Sequence, residues 1–184
     1  MADNGILVNK VKESGLVTLD LQKFYDRTPI VVFDIADYLF QGLILREKDF
    51  RAVLEEFDWQ GQFKGKYLAV YCSADAIVAP WAYMLVAAAA EGIAKEVFFG
   101  SKESVLETLY ERKLESIDWS EFHGKRVLLK GCSDVPVPES AYLQATSKLS
   151  GVVERLMYGE ACSFVPVYRK PKAKKATATE EAAV

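Results

Sequence analysis

The chain has 184 residues, 51% of them hydrophobic and 27% charged, with a formal net charge of −3. A chain of this length buries roughly 70% of its unfolded surface without disulfide or metal staples, and 23 Lys and Arg against 26 Asp and Glu leave no basic excess for a phosphate backbone, so nucleic acid is not an expected partner. The single histidine, His123, excludes three-His and HExxH zinc centres and leaves one residue to serve any Ser-His-Asp triad.

Strands are predicted over 16–19 and 30–33, the second entered through Pro29, and a helix over 47–57 from the spacing of Phe50, Val53, Leu54 and Phe57. The pattern does not fix where residues 1–65 sit in a sheet. Between 66 and 157, short apolar runs alternate with segments of helical period, as in βαβ units. YLAVY (67–71), EVFF (96–99) and RVLL (126–129) read as buried parallel strands. Pro80 opens a helix to about Lys95, and Ser101 caps a second over 102–114 with Val105, Leu106, Leu109 and Tyr110 on one stripe. A third is predicted from Pro138, with Tyr142, Leu143, Thr146, Leu149, Val152, Val153 and Leu156 inward and Gly159 as its left-handed end.

The predicted class is therefore α/β: one two- or three-layer domain over residues 1–170 around a mostly parallel, Rossmann-like sheet, then a disordered basic and small-residue tail over 171–184. No internal repeat with a period of roughly 20 to 50 residues is visible. The longest apolar run, 76–90, is shorter than the ~20 residues a membrane span needs and contains Pro80. An odd count of three cysteines, behind an N-terminus without signal-peptide regions, predicts a cytoplasmic protein with free or metal-bound thiols.

Each cysteine precedes a serine: Cys72-Ser73, Cys132-Ser133 and Cys162-Ser163. Cys72 ends YLAVY and Cys132 ends RVLLKG, and each opens a loop leading into a proline-started helix. If both strands belong to one parallel sheet, the two thiols lie along its carboxyl edge, where such folds bind ligands. Asp75 and Asp134 stand three and two residues further on, and Glu160 shortly precedes Cys162. Should 158–168 loop back to that edge, three thiolates and a carboxylate from Asp75, Asp134 or Glu160 make a four-ligand set for zinc, iron or an iron–sulfur cluster. The bland alternative is that each cysteine is a small buried hydrophobe, since the wide spacings lack a CxxC knuckle.

A nucleophilic cysteine is the second chemical reading, its thiolate favoured by a helix N-terminus. Neither CSDVPVP nor CSADAIVAP carries an arginine to hold an anion, and the neighbouring aspartates oppose a thiolate. His123 precedes the strand that Cys132 ends and reads as a surface-turn residue. No GxGxxG or GxxxxGK[ST] loop occurs, so no nucleotide cofactor is expected.

The segments DYLFQGLILREKDFR, YCSADAIVAPWAYML, KGCSDVPVPESAY and LMYGEACSFVPVYRK resemble, in order, the bacterial domain-of-unknown-function family numbered 2480, over about residues 14–170. Cys72, Asp75, Pro80, Trp81, Cys132, Ser133, Pro136, Pro138, Gly159, Glu160, Ala161 and Cys162 carry the resemblance. It implies no established activity. It does imply a gene neighbourhood shared with sulfur-mobilisation iron–sulfur assembly, and so iron–sulfur assembly proteins as partners. The leading expectation is a metal- or iron–sulfur-binding accessory protein acting in cluster assembly or delivery. Its alternatives are a thiol enzyme of persulfide or sulfur transfer and a non-catalytic scaffold in which Trp81, Tyr83 and Tyr142 only pack.

Overall fold

A computed structural model describes residues 16–131 and 134–171; the expected tail from residue 172 and the Cys132-Ser133 pair lie outside the described residues. The class is α/β with parallel strands, but the strands divide between two sheets. In chain order the elements are β1 (Leu16–Asp20), β2 (Ile30–Asp34), α1 (Glu47–Glu56), α2 (Trp59–Phe63), β3 (Tyr67–Tyr71), α3 (Pro80–Ala89), β4 (Glu96–Phe99), α4 (Lys102–Glu115), β5 (Arg126–Lys130), α5 (Glu139–Leu149), β6 (Arg155–Glu160) and β7 (Ser163–Arg169). Among the described residues no helix is long and apolar enough to cross a membrane.

The described chain forms two units: residues 24–116 with 138–141, and residues 16–23, 117–137 and 142–171. The first holds the parallel sheet β2-β3-β4. Its strands are apolar on both faces because helices cover both. Phe33, Leu68 and Val70 pack against Phe50 and Leu54 of α1, Trp59 and Phe63 of α2, and Ala82 and Val86 of α3. On the other face Tyr67, Ala69 and Phe98 meet Val105 and Leu109 of α4. Ser101 caps α4 as expected, its hydroxyl accepting from the Ser104 N–H at 3.4 Å. The α3 helix stops at Ala89, short of the expected end near Lys95.

The second unit holds β1-β5-β6-β7, parallel except for the final antiparallel strand. Val17, Leu19, Val127, Leu129 and Leu156 are buried, as are Ala145 and Leu149 of α5. The third helix is much shorter than expected. It ends at Leu149, Leu143 is 73% exposed, and residues 155–160 form β6. Gly151, at φ +86, turns the chain out of the helix, and the β-branched Val152 and Val153 lead into a strand whose apolar spacing imitates a further helical turn.

Both units follow one plan. The register Leu16↔Arg126↔Arg155 repeats Ile30↔Tyr67↔Glu96. One constant offset along the chain matches Phe63 with Phe122, Ala82 with Ala141, Val86 with Ala145, Gly92 with Gly151 and Phe99 with Tyr158. Backbone bonds recur at matched positions: the Gly65 N–H donates to Ile93 O and the Gly124 N–H to Val152 O, each at 2.9 Å. The Lys95 N–H to Lys66 O and Glu154 N–H to Lys125 O bonds are each 2.8 Å. The copies are nested, since β1 precedes the whole β2–α4 segment and finds its parallel neighbour only at β5. They part after the third strand, where one copy continues into α4 and the other turns back as β7.

Candidate functional site

The carboxyl edge of the three-stranded sheet is closed by Asp34, the last residue of β2. Its Oδ1 accepts from the Ala36 N–H at 2.9 Å and from the Ser73 N–H at 3.0 Å, tying the end of β2 to the loop after β3. Burial works against this carboxylate's charge, but the hydrogen bonds from Ser73 and Ala36 outweigh it and hold the carboxyl below its usual range. Cys72 is half-buried beside the aromatic core, and its thiol donates to Ala74 O at 3.7 Å. Burial, and then the neighbouring Cys72 sulfur, push the Tyr83 phenol up. Asp75 is exposed and lines a cleft of about 410 Å³ with Leu43, Ile44 and Trp81. Ile77, in the same loop, is 99% exposed.

At the carboxyl edge of the four-stranded sheet, Lys130 ends β5 and Glu160 ends β6, and Lys130 Nζ meets Glu160 Oε1 at 2.8 Å. Ala161 and Cys162 form the turn into β7, and Cys162 is exposed. The loop back to the sheet edge that Cys162 required is thus the β6–β7 hairpin. Gly159, at φ +125, makes that return possible, because a Cβ there would stand 2.6 Å from Ser163 O. Tyr142 donates its hydroxyl to the Gly131 carbonyl, fixing the exit from β5. Asp134 is exposed; Cys132 lies outside the described residues.

The expectation that Cys72 and Cys132 share one sheet edge is corrected by the topology. YLAVY belongs to β2-β3-β4 and RVLLK to β1-β5-β6-β7, so their strand ends border different sheets. The sheet instead brings the end of β5 beside the Cys162 turn, through β6 and the Lys130–Glu160 pair. Among the described residues no three His, Cys, Asp or Glu side chains converge as a metal-ligand group. His123 is an exposed turn residue, its N–H bonded to Ser120 O at 3.0 Å.

The family model described as a protein of unknown function, DUF2480, matches residues 5–170. The chain belongs to the DUF2480 family. No curated protein and no solved structure matches it. In this DUF2480 chain both sheets have an aspartate closing the first strand and a tyrosine in the helix after the second, and in the amino-acid sequence a CS dipeptide follows the second strand of each. Asp20 repeats Asp34, its Oδ1 accepting from the Gln22 N–H at 3.1 Å.

Sequence reasoning missed these aspartates. It also missed Asp26, which accepts from the Tyr67 hydroxyl at 2.7 Å and the Lys95 ammonium at 3.2 Å. Burial opposes the Asp26 charge, but hydrogen bonds from Thr28, Tyr67 and Lys95 prevail and hold its carboxyl far below the usual range. The signal available was the aligned pair LVTLDL and IVVFDI, two strands with the same aspartate at the same place.

Proposed function

We propose that this protein is a thiol-dependent accessory protein that carries a soft metal ion or an iron–sulfur cluster at the carboxyl edge of its four-stranded sheet. Cys132 and Cys162 supply the thiolates and Asp134 the adjoining carboxylate. Glu160 orients the edge through Lys130. The supporting observation is that β5 and β6 are adjacent and parallel and their ends are tied by Lys130–Glu160 at 2.8 Å. This puts the Cys162 turn beside the strand end that leads into Cys132. Thiolate pairs select zinc, iron and cuprous ions over hard cations. The cytoplasm is the compartment in which such thiols stay reduced, and iron–sulfur assembly proteins are the partners that this chemistry calls for.

The test is iron, zinc and acid-labile sulfide per chain, with a visible spectrum, in protein prepared anaerobically from cells. Cys132→Ser and Cys162→Ser each remove most of the bound metal. Cys72→Ser, in the other unit, retains its metal and serves as the cysteine control. Metal content unchanged in both Cys132→Ser and Cys162→Ser overturns the proposal.

A further inference from the structure

The amino edge of the four-stranded sheet carries a row of arginines. Arg126 of β5 is in register with Arg155 of β6, and Arg155 with Arg169 of β7, so three guanidinium groups leave one face of three neighbouring strands. Like charges directly opposite one another in a sheet repel, and the fold itself does not require them there. The repeated unit shows this, with Tyr67 and Glu96 at the positions of Arg126 and Arg155. There each is answered within the chain: Tyr67 by Asp26 at 2.7 Å and Glu96 by Arg112 at 2.6 Å. Arg155 has an ion pair with Glu154 at 3.6 Å, but that distance is beyond hydrogen bonding, and its Nε is closed off from water without a hydrogen-bond acceptor.

These arginines border a pocket of about 400 Å³ whose other walls include Met157, Phe164 and Pro166. The register pairs Arg155 with Arg169, Met157 with Pro166 and Gly159 with Phe164, so the cationic and apolar walls share one face of the β6–β7 hairpin. Pockets of this size take small molecules. A guanidinium row recognises planar or tetrahedral oxyanions by paired N–H donors, and the apolar wall excludes a fully hydrated ion. We infer that this pocket binds a small amphipathic anion, a carboxylate or phosphate head carried on an apolar body. The pocket lies at the opposite end of β6 from Cys162, roughly 17 Å along the strand, and is independent of the thiols.

The test uses octanoate, octyl phosphate, 1-octanol and inorganic phosphate on the full chain, below micellar concentrations, by calorimetry and saturation-transfer NMR. Octanoate or octyl phosphate saturates one site per chain, and whichever binds tighter identifies the head group. Octanol and inorganic phosphate bind at least tenfold more weakly. Arg155→Gln lowers anion affinity at least fivefold. Arg169→Gln, at the exposed end of β7, does the same with an unchanged melting temperature, which separates lost recognition from lost folding. Octanol binding as tightly as the anions, inorganic phosphate binding as tightly as octyl phosphate, affinity unmoved by Arg169→Gln, or no binding of either organic anion would each overturn the inference.

Discussion

Tyr142 stands edge-on to Tyr158, ring centroids 5.7 Å apart and planes at 84°, and so repeats the contact of Tyr83 with Phe99 at 5.2 Å and 74°. In both copies the helix after the second strand is fastened to the third strand by this ring pair. Tyr142 also holds the Gly131 carbonyl. Tyr142→Phe keeps the ring contact and loses only the hydrogen bond, a cost of about 1 kcal/mol. Tyr142→Ala loses both and costs about 3 kcal/mol, less than a fully buried aromatic at the upper end of its range because the ring is half-exposed. Urea unfolding of the two variants beside wild type measures the difference.

The Asp26–Tyr67–Lys95 cluster makes stability depend on acid. Asp26 has a folded-state pKa below its unfolded value, so its contribution is complete above roughly pH 4 to 5 and is lost as pH falls toward the folded value. Asp26→Asn is less stable than wild type by about 2 kcal/mol at pH 7, and the gap narrows as pH falls from about 4 to about 2 without closing, because the folded carboxyl is still largely ionised there. Asp34, also depressed, leaves a residual slope in the variant. Thermal melts across pH 2 to 7 read this directly.

Asp34 fastens the Cys72 loop through the Ser73 N–H. Asp34→Ala releases both Ser73 and Ala36, costs about 1 to 2 kcal/mol and increases the rate at which Cys72 is alkylated. Timed alkylation with peptide mapping distinguishes Cys72 from Cys162, which is exposed from the outset and reacts at an unchanged rate.

Gly159→Ala forces a Cβ against Ser163 O at a φ of +125. The expected loss is about 1 to 3 kcal/mol, concentrated in the hairpin. Hydrogen exchange shows it as faster exchange of the amides of β6 and β7, with β2-β3-β4 unaffected.

The strands YLAVY, EVFF and RVLL, the Ser101 cap and the Pro80 helix start were legible because each rests on local chemistry: short apolar runs, a hydroxyl at an N-cap, a proline where no N–H is needed. Which strands become neighbours is a long-range matter. Val127 looks as suited to pair with Leu68 as with Val17, and only the nested repeat decides it. The repeat leaves no solenoid-like signature, because its period is longer than the solenoid range and its first strand is separated from the rest of its copy. Val153 and Leu156 fit helical spacing, so the sequence pattern conceals β6 behind a helix that Gly151 in fact breaks. Among the candidate ligands, Glu160 and Cys162 drew attention through their place in the sequence just after the third predicted helix, whereas the row Arg126, Arg155, Arg169 exists only through strand register.

The nesting also has a consequence for synthesis. Leu16 pairs with Arg126, and the whole β2–α4 segment emerges from the ribosome between them. Strands β2, β3 and β4 meet their neighbours soon after translation, but β1 is made first and paired last. Closing so long a loop adds little equilibrium cost, since that cost grows only logarithmically with length, yet it delays the pairing until β5 is available. A nascent chain arrested before β5 therefore carries LVTLD as an unpaired apolar strand, and a circular permutant that opens the chain between β1 and β2 brings β1 next to its partners and removes the wait.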